Sequence, residues 1–130
     1  MKTILILMLV VIVMLIGFGV LLITKNNGTQ QVTDANNVTI VDGKQIVEIR
    51  AKGGYQPRTS VAKAGIPTVL RFNTSGTFDC SSSVRIPSMN ISKALPQTGT
   101  TDIDLGVQQI STLQGLCGMG MYSFEIDFRS

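Results

Sequence analysis

Histidine is missing from all 130 residues of this sequence, and so is tryptophan. Without an imidazole the chain cannot form a Ser-His-Asp or Cys-His catalytic group, a histidine-bound zinc site, or a blue-copper centre, which needs two histidines. A cysteine enzyme would also lack a base to activate its thiol. The composition therefore predicts a protein that is not an enzyme.

Charge is sparse as well. Eleven Lys and Arg residues against eight Asp and Glu residues give a formal net charge of +3. The basic residues stand one at a time along the chain, whereas a nucleic-acid-binding surface gathers Lys and Arg on one face. We therefore expect no nucleic-acid partner.

Hydrophobic residues make up 44% of the chain, and one segment near its start accounts for the excess. Residues 4–23 are apolar except for Gly17 and Gly19. A helix of this length spans about 30 Å, the thickness of the hydrocarbon core of a bilayer. The segment predicts a single-pass transmembrane anchor over residues 1–25 and a location in the cell membrane. Residues 26–37, rich in Asn, Gln and Thr, predict a flexible tether.

From residue 38 onward the apolar residues recur with a period of two, which is typical of half-buried strands. Segments with this pattern are 38–41, 46–51, 69–72, 83–86, 101–105 and 122–128. The dipeptide Asp42-Gly43 between the first two is the residue pair most typical of a tight hairpin. Such short strands predict an all-β Greek-key sandwich over residues 38–130. The residues expected in its core include Val69, Phe72, Phe124, Ile126 and Phe128.

Residues 117–122 read Cys-Gly-Met-Gly-Met-Tyr, with a glycine between successive sulfur-containing residues. A strand interior would not favour this pattern, because glycine packs nothing there. The flexible thioethers of Met119 and Met121 could instead gather around the same point as the Cys117 thiolate. Thiolate and thioether ligands favour Cu(I) over Zn(II), Mg(II) and Ca(II). The other interpretation is a loop in which Cys117 is half of a disulfide and the methionines fill gaps.

Several further elements accompany this motif. They are Gly-Tyr-Gln-Pro at 54–57, Ala-Gly-Ile-Pro at 64–67, Val-Leu-Arg-Phe at 69–72, and Cys80. Together they resemble the cupredoxin superfamily, with Cys80 where an ordinary cupredoxin has a histidine ligand and Met119 and Met121 in its later ligand loop. This set of ligands resembles the CupA type, the membrane-anchored Cu(I) chaperones of Gram-positive copper-export operons.

The resemblance implies a sulfur-only Cu(I) site formed by Cys80, Cys117, Met119 and Met121, an arrangement that holds two copper ions in relatives. It also implies a chaperone that buffers copper and passes it to a copper-exporting P-type ATPase for copper tolerance. Because thiols stay reduced in the cytosol, such a site favours a cytoplasmic domain, although bound Cu(I) would also protect the thiols outside. The alternative is an extracellular β-sandwich, stapled by a Cys80–Cys117 disulfide, with an adhesive or assembly role and no metal.

Overall fold

The start of the chain forms a single helix. The computed structural model describes residues 1–23 and 37–130, with side chains described for residues 1–16 and 37–130. Helix α1 extends over Lys2–Ile23 and belongs to a compact unit separate from the strands. The predicted tether, except for Asn37, lies outside the described residues.

The prediction of a membrane-spanning anchor is wrong by the criterion of length and apolarity. Among the residues that the structure describes, no helix is long and apolar enough to cross a bilayer. The structure therefore corrects the predicted transmembrane helix, the membrane as a partner and the location in the cell membrane.

Ten β-strands form most of the remaining described chain. They are β1 Val38–Val41, β2 Lys44–Ala51, β3 Tyr55–Gln56, β4 Thr59–Lys63, β5 Pro67–Thr74, β6 Ser83–Ile86, β7 Ile91–Ala94, β8 Gly99–Val107, β9 Ser111–Leu116 and β10 Ser123–Arg129. One sheet has the order β1-β2-β5-β8 with β3 paired to β2, and the other has the order β4-β10-β9-β6-β7. Two pairs, β2 with β5 and β4 with β10, are parallel. The predicted all-β sandwich is confirmed.

The alternating segments form strands because their apolar residues face the opposite sheet. In β10, Phe124, Ile126 and Phe128 are at most 1% exposed. The hairpin between β1 and β2 is also confirmed, since Asp42 and Gly43 have φ angles of 50° and 74°, the left-handed values that a tight two-residue turn requires.

Three aromatic rings form the centre of the core. Tyr55 of β3, Phe72 of β5 and Phe124 of β10 contact one another edge to face, with ring centroids 5.1–5.8 Å apart. The Tyr55 hydroxyl donates a hydrogen bond of 2.6 Å to the carbonyl of Ser83. Burial, with a smaller contribution from the Asp79 carboxylate, raises the pKa of Tyr55 above its ordinary value. The phenol therefore remains a hydrogen-bond donor that links the two sheets.

Strands β3, β4, β7 and β9 do not follow from the hydrophobic pattern. Strand β9 contains the buried Gly115, which lies directly opposite Phe124 on β10. A β-carbon at Gly115 would lie 2.1 Å from the Phe124 ring, so this glycine makes room for the aromatic core. Glycine ordinarily weakens a strand interior. Here the space it leaves is filled by the Phe124 ring.

Candidate metal centre

Cys80 and Cys117 lie next to each other, although 37 positions separate them in the sequence. Cys80 opens a short 3-10 turn, Cys80–Ser82, between β5 and β6, and Cys117 directly follows the last residue of β9. Their Cα atoms are 5.7 Å apart, and the structure joins their sulfurs in a disulfide. Cys117 is fully buried, and Cys80 is partly buried against the core. The structure thus brings the two cysteines together as a disulfide, the bonded form that the alternative interpretation proposed.

The loop after Cys117 is closed by hydrogen bonds to that residue. The Cys117 amide donates to the Tyr122 carbonyl over 2.9 Å, and the Gly120 amide donates to the Cys117 carbonyl over 2.9 Å. The Tyr122 amide donates to the Cys117 sulfur over 3.4 Å. Gly120 has a φ angle of 71°, which a residue with a side chain rarely adopts. The glycine between the two methionines therefore allows a tight turn around the cysteine.

Met119 and Met121 remain at the surface of this turn. Their side chains are 76% and 61% exposed, so they do not fill gaps in the core as the alternative interpretation required. The structure brings together the two cysteines, and it places both thioethers on the adjoining exposed loop.

The segment around Cys80 is held by Asp79. This carboxylate accepts hydrogen bonds from the Ser81 hydroxyl, from the Ser81 amide over 2.8 Å and from the Gly53 amide over 2.9 Å. The Ser81 hydroxyl, followed by the Gly53 and Ser81 amides, lowers the pKa of Asp79 below its ordinary value. Asp79 thus fixes the Cys80 turn to the chain that follows β2.

Ser83 connects the two cysteine segments, and sequence reasoning did not identify it. Its hydroxyl donates to the Cys80 carbonyl over 3.2 Å and accepts from the Gly118 amide over 3.0 Å. A serine in a short strand carries no signal of such a contact, because Gly118 lies 35 positions away in the sequence.

Two aromatic residues border the cysteine pair. Phe78, two positions before Cys80, is 76% exposed. Tyr122 is half-buried, and its ring covers Gly54, where a β-carbon would lie 3.4 Å from Cδ1. Three exposed apolar side chains, those of Phe78, Met119 and Met121, therefore lie within four positions of a cysteine in the sequence.

The described residues contain no group of three or more His, Cys, Asp or Glu side chains placed to hold a metal ion. The donors that fit a soft metal are the four sulfurs of Cys80, Cys117, Met119 and Met121. The cysteines would serve as thiolates only after reduction of their disulfide.

The two-sheet sandwich, with Cys117 between its last two strands, has the architecture of a cupredoxin-like domain. The family of cupredoxin-like domains matches residues 7–126, and the chain belongs to this family. No curated protein sequence matches the chain significantly.

Two solved structures share the fold with a TM-score of 0.65 each. One is the metal-binding domain of CopA, the Cu(I)-exporting P-type ATPase of Streptococcus pneumoniae D39, solved with Cu(I), at 20% identity over 72% of this chain and 93% of that domain. The other is a copper-binding protein solved in its apo form by NMR, at 21% identity over 71% of this chain and 94% of that protein. At these identities the similarity shows the cupredoxin-like fold.

Proposed function

We propose that this protein is a Cu(I) carrier, not an enzyme, that buffers copper and passes it to a copper-exporting P-type ATPase. The observation that carries the proposal is the meeting of Cys80 and Cys117, with Cα atoms 5.7 Å apart, directly beside the exposed thioethers of Met119 and Met121. Four soft donors at one end of a sandwich match the ligand preference of Cu(I). The copper is cargo, so the site must both hold it and release it.

Copper binding in this proposal requires reduction of the disulfide. A dithiol reductant supplies two electrons and two protons, becomes a disulfide itself, and leaves Cys80 and Cys117 as thiols. Each thiol then gives up its proton when Cu(I) binds, because the thiolate is the metal ligand.

The two kinds of sulfur would divide the work of holding and releasing copper. The anionic cysteine sulfurs bind Cu(I) strongly, and Cys117 lies out of contact with solvent. The neutral thioethers bind more weakly, and their exposure leaves them accessible to an incoming protein. Copper held first by thioethers, or moved onto them, could pass to a partner without unfolding the domain.

The proposed partner follows from the comparison with CopA. That ATPase carries a metal-binding domain of the same fold, so copper could pass between two similar sites. Transfer would be tested by mixing the copper-loaded chain with such an ATPase domain, separating the two, and measuring the copper bound to each. If all copper stays on the carrier in the presence of excess apo domain, the proposed delivery is wrong.

Binding itself is tested on the full chain in two redox states. The disulfide form and a form reduced with dithiothreitol would each compete anaerobically with a chromogenic Cu(I) chelator. We expect the reduced form to remove Cu(I) from the chelator and the disulfide form to remove far less. X-ray absorption of the loaded protein should show sulfur in the first shell, and a first shell dominated by nitrogen or oxygen would contradict the site.

The second candidate function rests on the disulfide. In that case the Cys80–Cys117 bond only stabilises a sandwich with an adhesive or assembly role. The same competition separates the two functions, because a reduced chain that binds no more Cu(I) than a Cys80→Ser, Cys117→Ser double variant would favour the stapled sandwich.

A further inference from the structure

The hydroxyl of Ser83 lies between the backbones of the two cysteine segments. It donates to the Cys80 carbonyl over 3.2 Å and accepts from the amide of Gly118, the residue after Cys117, over 3.0 Å. The Ser83 amide also donates to the Cys80 carbonyl at the end of the 3-10 turn. One side chain therefore spans two loops that are distant in sequence.

Ser83 is itself anchored to the core. Its carbonyl accepts the 2.6 Å hydrogen bond from the hydroxyl of Tyr55, a residue only 1% exposed. Because the Tyr55 ring packs between Phe72 and Phe124, the backbone of Ser83 has a rigid support. A side chain held in this way can position what it touches.

The contact with Gly118 is close enough to restrict that residue as well. A β-carbon at Gly118 would lie 2.9 Å from the Ser83 hydroxyl oxygen, closer than such atoms normally approach. Gly118 does not have a positive φ angle, so its backbone conformation alone would permit alanine. The Ser83 hydroxyl would therefore have to shift to accept a side chain at position 118.

We propose that Ser83 is a positioning residue that holds the Cys80 and Cys117 loops at the spacing their sulfurs need. Fixing both loops before the sulfurs react or bind metal removes part of the ordering cost of bringing them together. Among the described residues, the Ser83 side chain forms no hydrogen bond with either sulfur. The part of this inference that concerns copper rests on the proposed function, whereas the part that concerns the thiol pair does not.

The test measures the equilibrium between the full chain and glutathione. In this reaction the protein dithiol and oxidised glutathione form the protein disulfide and two molecules of reduced glutathione. We expect Ser83→Ala to lower the equilibrium constant about tenfold, since two hydrogen bonds between the loops are lost. Ser83→Thr, which retains the hydroxyl, should restore it to within about threefold.

Ser82→Ala is the matched control, because Ser82 is the neighbouring serine and its side chain makes no hydrogen bond among the described residues. It should leave the constant unchanged. A role confined to folding would destabilise the oxidised and reduced chains equally and would not move this constant, which reports only their difference. A Ser83→Ala constant within twofold of the wild type would overturn the proposal.

Gly118→Ala provides a second test if Ser83→Ala does not fold. Its added methyl should disturb the Ser83 contact and lower the constant. Where Ser83→Ala folds, the Gly118→Ala loss should be smaller in that background, because the oxygen that the methyl meets is absent. Fully additive losses would contradict the link between these two residues.

Cu(I) competition on the same variants distinguishes the two proposals. We expect Ser83→Ala to weaken Cu(I) binding about tenfold while Ser82→Ala does not. If the reduced wild type binds no Cu(I) but the glutathione constant still falls in Ser83→Ala, the proposed copper function fails and the positioning role stands. If copper binds equally well in both variants and the constant is unchanged, only the positioning role fails.

Discussion

At the scale of single residues, the four sulfurs differ in charge and in access to solvent. Cys117 is fully buried beside the core, whereas Met119 and Met121 are exposed on the turn that follows it. A thiolate contributes charge to the bond with Cu(I) and a thioether does not. Replacing a cysteine and replacing a methionine should therefore reduce the Cu(I) affinity by different amounts.

We expect Cys80→Ser or Cys117→Ser to weaken Cu(I) binding by about 100-fold or more, because a hard hydroxyl replaces a soft thiolate. Met119→Leu or Met121→Leu should weaken Cu(I) binding by about tenfold or less. Competition with a Cu(I) chelator measures the affinities, and Met89→Leu serves as a control thioether outside the loop. Equal losses from all four changes would contradict the division between tight and labile ligands.

At the scale of elements, the pairing of β9 with β10 includes a close contact between a glycine and an aromatic ring. Gly115 faces Phe124 across the pair, and a β-carbon there would lie 2.1 Å from that ring. The ring cannot move freely, since it also contacts Tyr55 and Phe72.

Gly115→Ala should therefore lower the free energy of unfolding by about 2 kcal/mol or more through overpacking. Urea denaturation monitored by far-UV circular dichroism measures the loss of stability. Adding Phe124→Leu should make the alanine less costly than it is in the wild type, because the clashing ring is gone. If Gly115→Ala costs the same in both backgrounds, the ring is not the cause.

A second element-level contact joins β5 to β8 on the outer face of their sheet. Arg71 forms two hydrogen bonds of 2.8 Å with the carboxylate of Asp102, its register partner on β8. The hydrogen bond from Arg71 lowers the pKa of Asp102, and the Asp102 carboxylate raises the pKa of Arg71. This pairing gives Asp102 a structural role at the surface of the sheet.

The contribution of Asp102 to stability should be present above the ordinary carboxyl pKa of 3.8 and should be lost as the pH falls through its lower folded value. The side chain is 47% exposed, so solvent screening limits the effect to about 0.5 kcal/mol. Urea titrations of the wild type and Asp102→Asn should differ at pH 7 and converge at pH 2. A constant difference between them across this range would show that the ion pair is not responsible.

At the scale of the whole molecule, the sandwich has an extensive hydrophobic core. Among the described residues eighteen hydrophobic residues are buried, including the aromatic trio and Ile49, Leu70, Ile86 and Ile126. We expect a core of this size to fold without a metal, unlike a zinc finger.

We expect the reduced, metal-free chain to remain folded and to be less stable than the disulfide form. The disulfide joins residues 37 positions apart. For a loop of this length, the entropy of loop closure predicts a stabilisation of about 4 kcal/mol, at the high end of the values measured for disulfides. Dispersed NMR spectra of the reduced chain and urea titrations of both forms test this expectation. A random-coil spectrum after reduction would show that the core cannot hold the fold alone.

Much of the sandwich was predictable because its buried faces alternate along the chain. Strand β6 follows the predicted bounds of 83–86, and Phe124, Ile126 and Phe128 of β10 are buried as expected. Strand β9 was not predictable, because Gly115 and Gln114 interrupt its apolar pattern. The apolar run at 4–23 predicted a membrane anchor, but no helix among the described residues is long and apolar enough to cross a bilayer.

The sequence by itself determined the class of fold and the chemistry available to it. Period-two apolar segments require sheets with one buried face, and the absence of histidine leaves sulfur as the soft donor. Only the tertiary structure decided which groups meet. It joined Cys80 to Cys117, left Met119 and Met121 at the surface, and placed the Ser83 hydroxyl between the two loops. The physical reason is that contacts between residues distant in sequence depend on how sheets pair and pack, which no local pattern encodes.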